Sequence, residues 1–258
     1  MYKGEHSPRP LPRRVPHAAW QARPTRPVTA VIPAWNEART IGAVVFAALD
    51  ARLVGEVVVV DNASSDATAA VAEAHGARVV TESTPGKGEA MRAGVAASPD
   101  AAVIVFLDAD LVCLRPDHID ELVAAVTEGG ADMACGLFDR GPVANAIFLE
   151  GLPVLTGQRA LRRAVFEQLD LADVRGYRVE AALNSLVAQR GLRRHDQVLS
   201  GLWHRTKEEK LSNPVVGFVT KLGMLASACW SYTRFALARR SMRVDSAPRK
   251  IASQPTAA

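Results

Sequence analysis

At 258 residues, 48% apolar and 22% charged, the chain has the length and composition for one large buried core, which excludes a disordered or low-complexity protein. Its three cysteines, Cys113, Cys135 and Cys229, are odd in number and lack the short spacing of a metal site. That argues against a disulfide framework and fits a reducing cytoplasm. The net charge of +4 is unevenly spread, with about +5 on residues 1–27, about −8 on 28–204 and about +7 on 205–250. An acidic centre between basic ends does not fit a nucleic-acid binder, whose basic surface should lie on the fold itself. It fits an anionic membrane surface or, more simply, solvated tails.

In chain order, residues 1–27 hold six prolines among several arginines and read as a disordered arm outside the fold. They contain no apolar h-region, so no secretory signal is expected in them. Val28–Pro33 predicts a first strand, and Ala34-Trp35-Asn36-Glu37 turns it into a helix over about 38–51. Glu56–Val60 is almost wholly apolar, as in a strand covered on both faces, and ends in the polar turn Asp61–Asp66. A helix to about His75, stopped by Gly76, leads to a third strand over 77–81. The loop Thr84–Gly88 precedes a helix over about 89–97. This alternation is that of a doubly wound, mostly parallel α/β sheet flanked by helices. No G-x-G-x-x-G follows the first strand, and Gly86-Lys87-Gly88 lacks the upstream glycine and following Ser/Thr of a P-loop.

The fourth strand, Val103–Leu107, runs straight into Asp108-Ala109-Asp110. Open α/β sheets bind ligands beyond the carboxyl ends of their strands. If the chain stays extended, the two carboxylates point the same way. Hard oxygen ligands there suit Mg²⁺ or Mn²⁺ bound together with substrate phosphates. Beyond them, Pro116–Thr127 predicts a helix, Ala131–Phe138 a strand, Glu180–Arg190 a helix and Leu192–Leu199 a strand. Val215–Leu237 is apolar-rich, but Lys221 and Arg234 interrupt it. Residues 213–240 read as an amphipathic helix, lying on a membrane, on the domain or on a second subunit in a homodimer. Residues 241–258 read as a tail.

Val31–Glu37, Val60–Asp66, Gly86-Lys87-Gly88 and Asp108-Ala109-Asp110 resemble, in order and spacing, the motifs of family 2 glycosyltransferases with the GT-A fold. The resemblance covers residues 28 to about 210 and implies a glycosyltransferase domain over 28–212, with a nucleotide-binding half over 28–110 and an acceptor half over 111–212. Gly86–Ala90 and Gly176–Glu180 look most like polyprenyl-phosphate glycosyltransferases and glucosyl-3-phosphoglycerate synthases. The resemblance implies a metal-dependent enzyme that moves a hexose from a nucleotide sugar, UDP-linked by preference, to a phosphorylated acceptor. The basic amphipathic end favours a polyprenyl phosphate at the inner face of the membrane, and the Gly86 and Tyr177 segments favour a small soluble phosphate. A catalytically silent sugar-nucleotide sensor or membrane adaptor is the competing class.

The same resemblance implies nucleotide contacts from Pro33, Ala34 and Glu37. Asp61 would meet the base's imide N–H, Asp108 the ribose and Asp110 the metal, with His204 completing the metal site. Lys87 offers a compact cation on a loop open to phosphate. Glu180 is a candidate for holding sugar hydroxyls or acting as general base, with Glu150 the alternative base. Leu155–Arg163 resembles an acceptor-side segment of the lipid-phosphate enzymes, in which Arg159 and Arg163 could clamp an acceptor phosphate through their forked donors.

Overall fold

A computed structural model of the chain describes residues 28–139, 156–169 and 179–204. The predicted arm over 1–27, the helical segment over 213–240, the tail and Glu150 lie outside the described residues. The strands are β1 (Val28–Ala34), β2 (Glu56–Asp61), β3 (Arg78–Thr81), β4 (Val103–Phe106), β5 (Leu111–Val112), β6 (Met133–Phe138), β7 (Arg159–Arg162), β8 (Arg194–Leu199) and β9 (Trp203–His204). The helices are α1 (Ile41–Asp50), α2 (Thr68–Ala74), α3 (Lys87–Ala96), α4 (Pro116–Thr127), α5 (Arg163–Phe166) and α6 (Val179–Arg190).

Seven strands form one sheet in the order β3-β2-β1-β4-β7-β6-β8. Only β7 opposes its neighbours: it is antiparallel to both β4 and β6, while the other pairs are parallel. Side chains alternate across a strand, and the core divides accordingly. Ala30, Ile32, Val57, Val59, Val103 and Val105 face Ile41, Val44 and Val45 of α1 and Ile119, Leu122 and Val126 of α4. Val31, Val58, Val60, Ile104 and Phe106 face Met91 and Val95 of α3, Phe166 of α5 and Leu183 of α6. Each such fully buried aliphatic chain contributes about 1.5–3 kcal/mol relative to exposure. Helices thus cover both faces, which is why β2 and β4 read as continuous apolar runs.

Two contacts set how closely the layers approach. A Cβ on Gly94 would overlap the Val31 side chain, so this glycine lets α3 lie directly on β1. Asp120 of α4 accepts the backbone N–H groups of Arg52 at 3.2 Å and Leu53 at 2.8 Å, tying the chain leaving α1 to α4.

Several expected boundaries shift for local reasons. The first helix begins at Ile41 rather than Ala38, because Asn36 takes a left-handed φ of 55° and residues 38–40 form a turn. The third begins at Lys87 rather than Glu89, directly after Gly86. β4 ends at Phe106, and Ala109-Asp110 lie in a turn. The extended path assumed for the two aspartates therefore fails, and alternation does not put them on one side. β7, within a segment read for its acceptor-side resemblance and given no element, is a four-residue strand inserted between β4 and β6.

Candidate functional site

The parallel strands β1, β2 and β4 end together, and polar residues follow each. Ala34 pairs with Asp61 across the last rung of β1 and β2, with Pro33 one rung before it. Asp61 is buried, and its Oδ1 accepts no hydrogen bond from the described residues. A buried carboxylate oxygen without a donor is costly, so Asp61 has acceptor capacity to spare among the described residues. Its neighbour Asn62 is fully used. The Asn62 amide donates to the carbonyls of Glu82 at 3.0 Å and Thr84 at 2.7 Å, and its oxygen accepts the Gly86 N–H at 2.7 Å. Asn62 thereby fixes the loop that delivers Lys87.

The loop after β1 is held to the loop after β2 by a closed set of hydrogen bonds. Asn36 Oδ1 accepts the Ser65 N–H at 2.8 Å, and the Asn36 N–H donates to Ser64 Oγ at 3.0 Å. The Glu37 N–H donates to Thr68 Oγ1 at 2.8 Å, and the Glu37 carboxylate accepts the Thr40 hydroxyl at 3.1 Å. Asp66 takes the N–H groups of Ala38 at 3.1 Å and Thr68 at 3.0 Å, and the Thr68 hydroxyl as well. Partial burial works to raise the Asp66 carboxyl, but these donors outweigh it and hold it below the usual range. Trp35 stands exposed at the tip of this structure.

At the centre lies a chain of charge. Lys87, the first residue of α3, places Nζ 2.6 Å from Asp108 Oδ1 and 2.6 Å from Glu180 Oε1. Burial alone would lower the lysine's proton affinity. The two carboxylates reverse this and hold the ammonium well above an ordinary lysine. The other oxygen of Asp108 accepts the Gln158 amide at 2.6 Å. One cation therefore bridges the end of β4 and the first turn of α6, two elements far apart in the sequence.

Asp110 is half-buried in the turn after β4. The chain then enters β5, where Leu111 pairs with His204 and Val112 with Trp203 of β9. The backbone of His204 is thus brought beside the residue that follows Asp110. Among the described residues no group of three or more His, Cys, Asp or Glu is arranged to hold a metal ion. Two protein ligands with a diphosphate would be the minimal donor set, which suits Mg²⁺ or Mn²⁺ better than a closed protein cage.

Arg159 is not a phosphate clamp. It is fully buried in β7, its guanidinium donating to the Thr156 carbonyl at 3.2 and 2.5 Å and to the Glu180 carbonyl at 3.4 Å. Its remaining contact is with the Met133 sulfur at 3.9 Å, so the guanidinium is held wholly inside the fold. Arg163 is likewise engaged, with Glu167 at 2.6 Å and with the Ser98 carbonyl. Sequence reasoning missed Gln158, Thr156 and Asn62. The first two sat in a segment read for its arginines, and the third beside an aspartate that drew the attention.

A parallel first half followed by an acidic turn after β4, with an antiparallel strand inserted beside it, defines a GT-A-type sheet. Residues 29–170, more than half of the chain, match the model of glycosyl transferase family 2, and the protein belongs to that family. An uncharacterized glycosyltransferase of Mycobacterium tuberculosis is 42% identical over 118 residues, 46% of this chain and 50% of that protein. Glucosyl-3-phosphoglycerate synthase of Mycobacterium tuberculosis is 33% identical over 148 residues, 54% of this chain and 45% of the synthase. The chain spans about half the length of these curated relatives in the aligned regions. A crystal structure of that synthase with Mn²⁺, UDP-glucose and phosphoglyceric acid superposes with a TM-score of 0.65 at 27% identity, covering 85% of this chain and 82% of that one. Among the described residues no helix is long and apolar enough to cross a membrane.

Proposed function

We propose that the protein transfers glucose, or a closely similar hexose, from UDP to a small phosphorylated acceptor of the 3-phosphoglycerate type, with Mn²⁺ or Mg²⁺ bound. The observation that carries this reading is the Lys87 bridge between Asp108 and Glu180, a donor-side and an acceptor-side carboxylate joined by one cation. The relatives support the same acceptor class, since the synthase crystallised with UDP-glucose also holds phosphoglyceric acid. The polyprenyl-phosphate preference drawn from the charge pattern rested on the basic region 205–250, and no relative reported above supports it.

In this reading Asp61 Oδ1 takes the imide N–H of the base, and Pro33, Ala34 and Glu37 shape the wall beside it. Asp108 accepts ribose hydroxyls beside the Lys87 ammonium. Lys87 lies where the diphosphate would pass and offers it a fixed positive charge in a partly dry site, where such a charge counts for most. Asp110 and His204 are the residues that would hold the metal. When bound, a divalent cation neutralises the charge that develops on the departing diphosphate. Glu180, presented by the first turn of α6, is placed to hold sugar hydroxyls or to receive the acceptor's proton.

The test is transfer from UDP-glucose with Mn²⁺ or Mg²⁺ to 3-phosphoglycerate, run beside the same reaction with polyprenyl phosphate in vesicles. Metal-dependent release of UDP with formation of a glucosylated phosphoglycerate is expected. Product only in the vesicle arm would move the acceptor to lipid. Release of no nucleoside diphosphate from any of a panel of nucleotide sugars would leave a silent sugar-nucleotide binder.

A further inference from the structure

The buried amide of Gln158 has no part in the chemistry above, yet it makes the most constrained contact in the site. Its side chain is fully buried. Its Nε2 donates to Asp108 Oδ2 at 2.6 Å, and its Oε1 lies 2.6 Å from the Thr156 hydroxyl. That hydroxyl also lies 2.6 Å from the Gly136 carbonyl. Reversing the amide would set its oxygen against a carboxylate oxygen, so Asp108 holds it one way round, whichever of its two acceptors the single Thr156 hydroxyl proton serves. The turn leaves Asp108 little freedom: a Cβ on Gly157 would overlap both of its carboxylate oxygens. Arg159, next in sequence, ties the same turn to the Glu180 carbonyl.

We infer that Gln158 is a positioning residue for donor binding: its amide locks the Asp108 carboxylate in one rotamer, so that Lys87 and the donor's ribose each meet a fixed oxygen. The inference rests on the nucleotide-sugar reading of the site. An amide suits the position because it donates without adding charge. An acid there would face Asp108 as a second carboxylate at hydrogen-bonding distance, and such a pair can carry only one negative charge without strong repulsion.

Two variants and two readouts test this. Gln158→Met removes the donor at nearly constant volume. It should lower kcat/KM for the nucleotide sugar by about 10- to 100-fold, the usual consequence of losing a hydrogen bond to a charged group, while KM for the acceptor stays within about twofold. Gln158→Glu keeps the shape and makes the contact depend on a proton. Relative to wild type, its kcat/KM should fall at least about tenfold between about pH 6 and about pH 9. A merely structural glutamine would not produce that profile. The second readout is the crystal structure of Gln158→Met, in which the Asp108 carboxylate should leave the single rotamer it holds beside the amide. Superimposable pH profiles, or an Asp108 rotamer unchanged by Gln158→Met, would overturn the inference. Should wild type turn over no nucleotide sugar, the function proposed above fails, and the Asp108 rotamer in the variant still decides whether Gln158 holds this carboxylate.

Discussion

The two halves of the sheet use polar residues in opposite ways. β1, β2 and β4 are almost wholly apolar within, and polar residues gather at or just past their ends: Asp61, Asn62, Lys87 and Asp108 lie together at one end of the sheet. From β6 onward the order is reversed. Thr156, Gln158 and Arg159 are buried within the structure, while the edge strand β8 leaves Arg194 and His195 exposed. The first half presents its polar groups at the strand ends, and in the second Gln158 and Arg159 spend buried hydrogen bonds on Asp108 and on the Glu180 backbone. A site of this kind gains its precision from groups that never meet the substrate, because fixed donors and carboxylates need no reorganisation at the moment of reaction.

That contrast separates variants that should cost activity from those that should cost stability. The largest effect is expected at Lys87, in the presenting half. Lys87→Met leaves Asp108 and Glu180 without their shared cation and should lower kcat/KM by about 10³, measured as nucleoside diphosphate release, with the fold retained. Arg159→Met, in the supporting half, should instead act first on stability. It strips the donors from the Thr156 and Glu180 carbonyls in a dry interior, and thermal unfolding should register a loss of about 3 kcal/mol. If Arg159→Met left stability unchanged while raising the acceptor's KM, the division between halves would be wrong at its clearest point.

Gly157→Ala lies between the two and should lower kcat/KM about 10- to 100-fold, since the new methyl displaces Asp108. Smaller again is Asp66→Ala, which releases the loop over 36–38. The folded pKa of Asp66 lies below its ordinary value of 3.8. The carboxylate's stabilisation is therefore complete above about pH 4 and is lost as pH falls through the folded value. Wild type and Asp66→Ala should differ slightly in thermal midpoint near neutral pH and converge in acid. Cysteine labelling offers a last check on the packing: Cys113 is exposed, whereas burial pushes the Cys135 thiol up to about 11. At about pH 8 a thiol reagent should modify Cys113 and spare Cys135 in the folded protein.

The presenting half was legible in the sequence because its rules are local. Val57–Val60 and Val103–Phe106 announce buried strands by composition, and the polar residues after them mark the ligand-binding end. Strand–helix alternation then puts Asp61, Lys87 and Asp108 at or near that end, and the resemblance to family 2 glycosyltransferases implies their roles. The supporting half was not legible in this way. Arg159-Ala160-Leu161-Arg162 is too short and too charged to read as a central strand, and only its pairing with β4 and β6 makes it one. The resemblance of Leu155–Arg163 to an acceptor-side segment points Arg159 at an acceptor phosphate, whereas its guanidinium serves two backbone carbonyls, a use that no local pattern signals. The separation of Lys87 from Glu180 by 93 residues hides their contact from any local pattern. The approach of His204 to Leu111 is hidden likewise, because the two-residue strands β5 and β9 carry almost no periodic signal.

In the proposed function the acidic turn after β4 holds a divalent cation against the diphosphate of a nucleotide sugar. Crystals grown with UDP-glucose and Mn²⁺, with data collected for the anomalous signal of manganese, address this directly. One strong peak is expected within about 2.5 Å of the Asp110 carboxylate and beside the diphosphate, with the ribose on Asp108 and the base on Asp61. A nucleotide bound away from these three aspartates, or a manganese peak with no contact to Asp110, would contradict it.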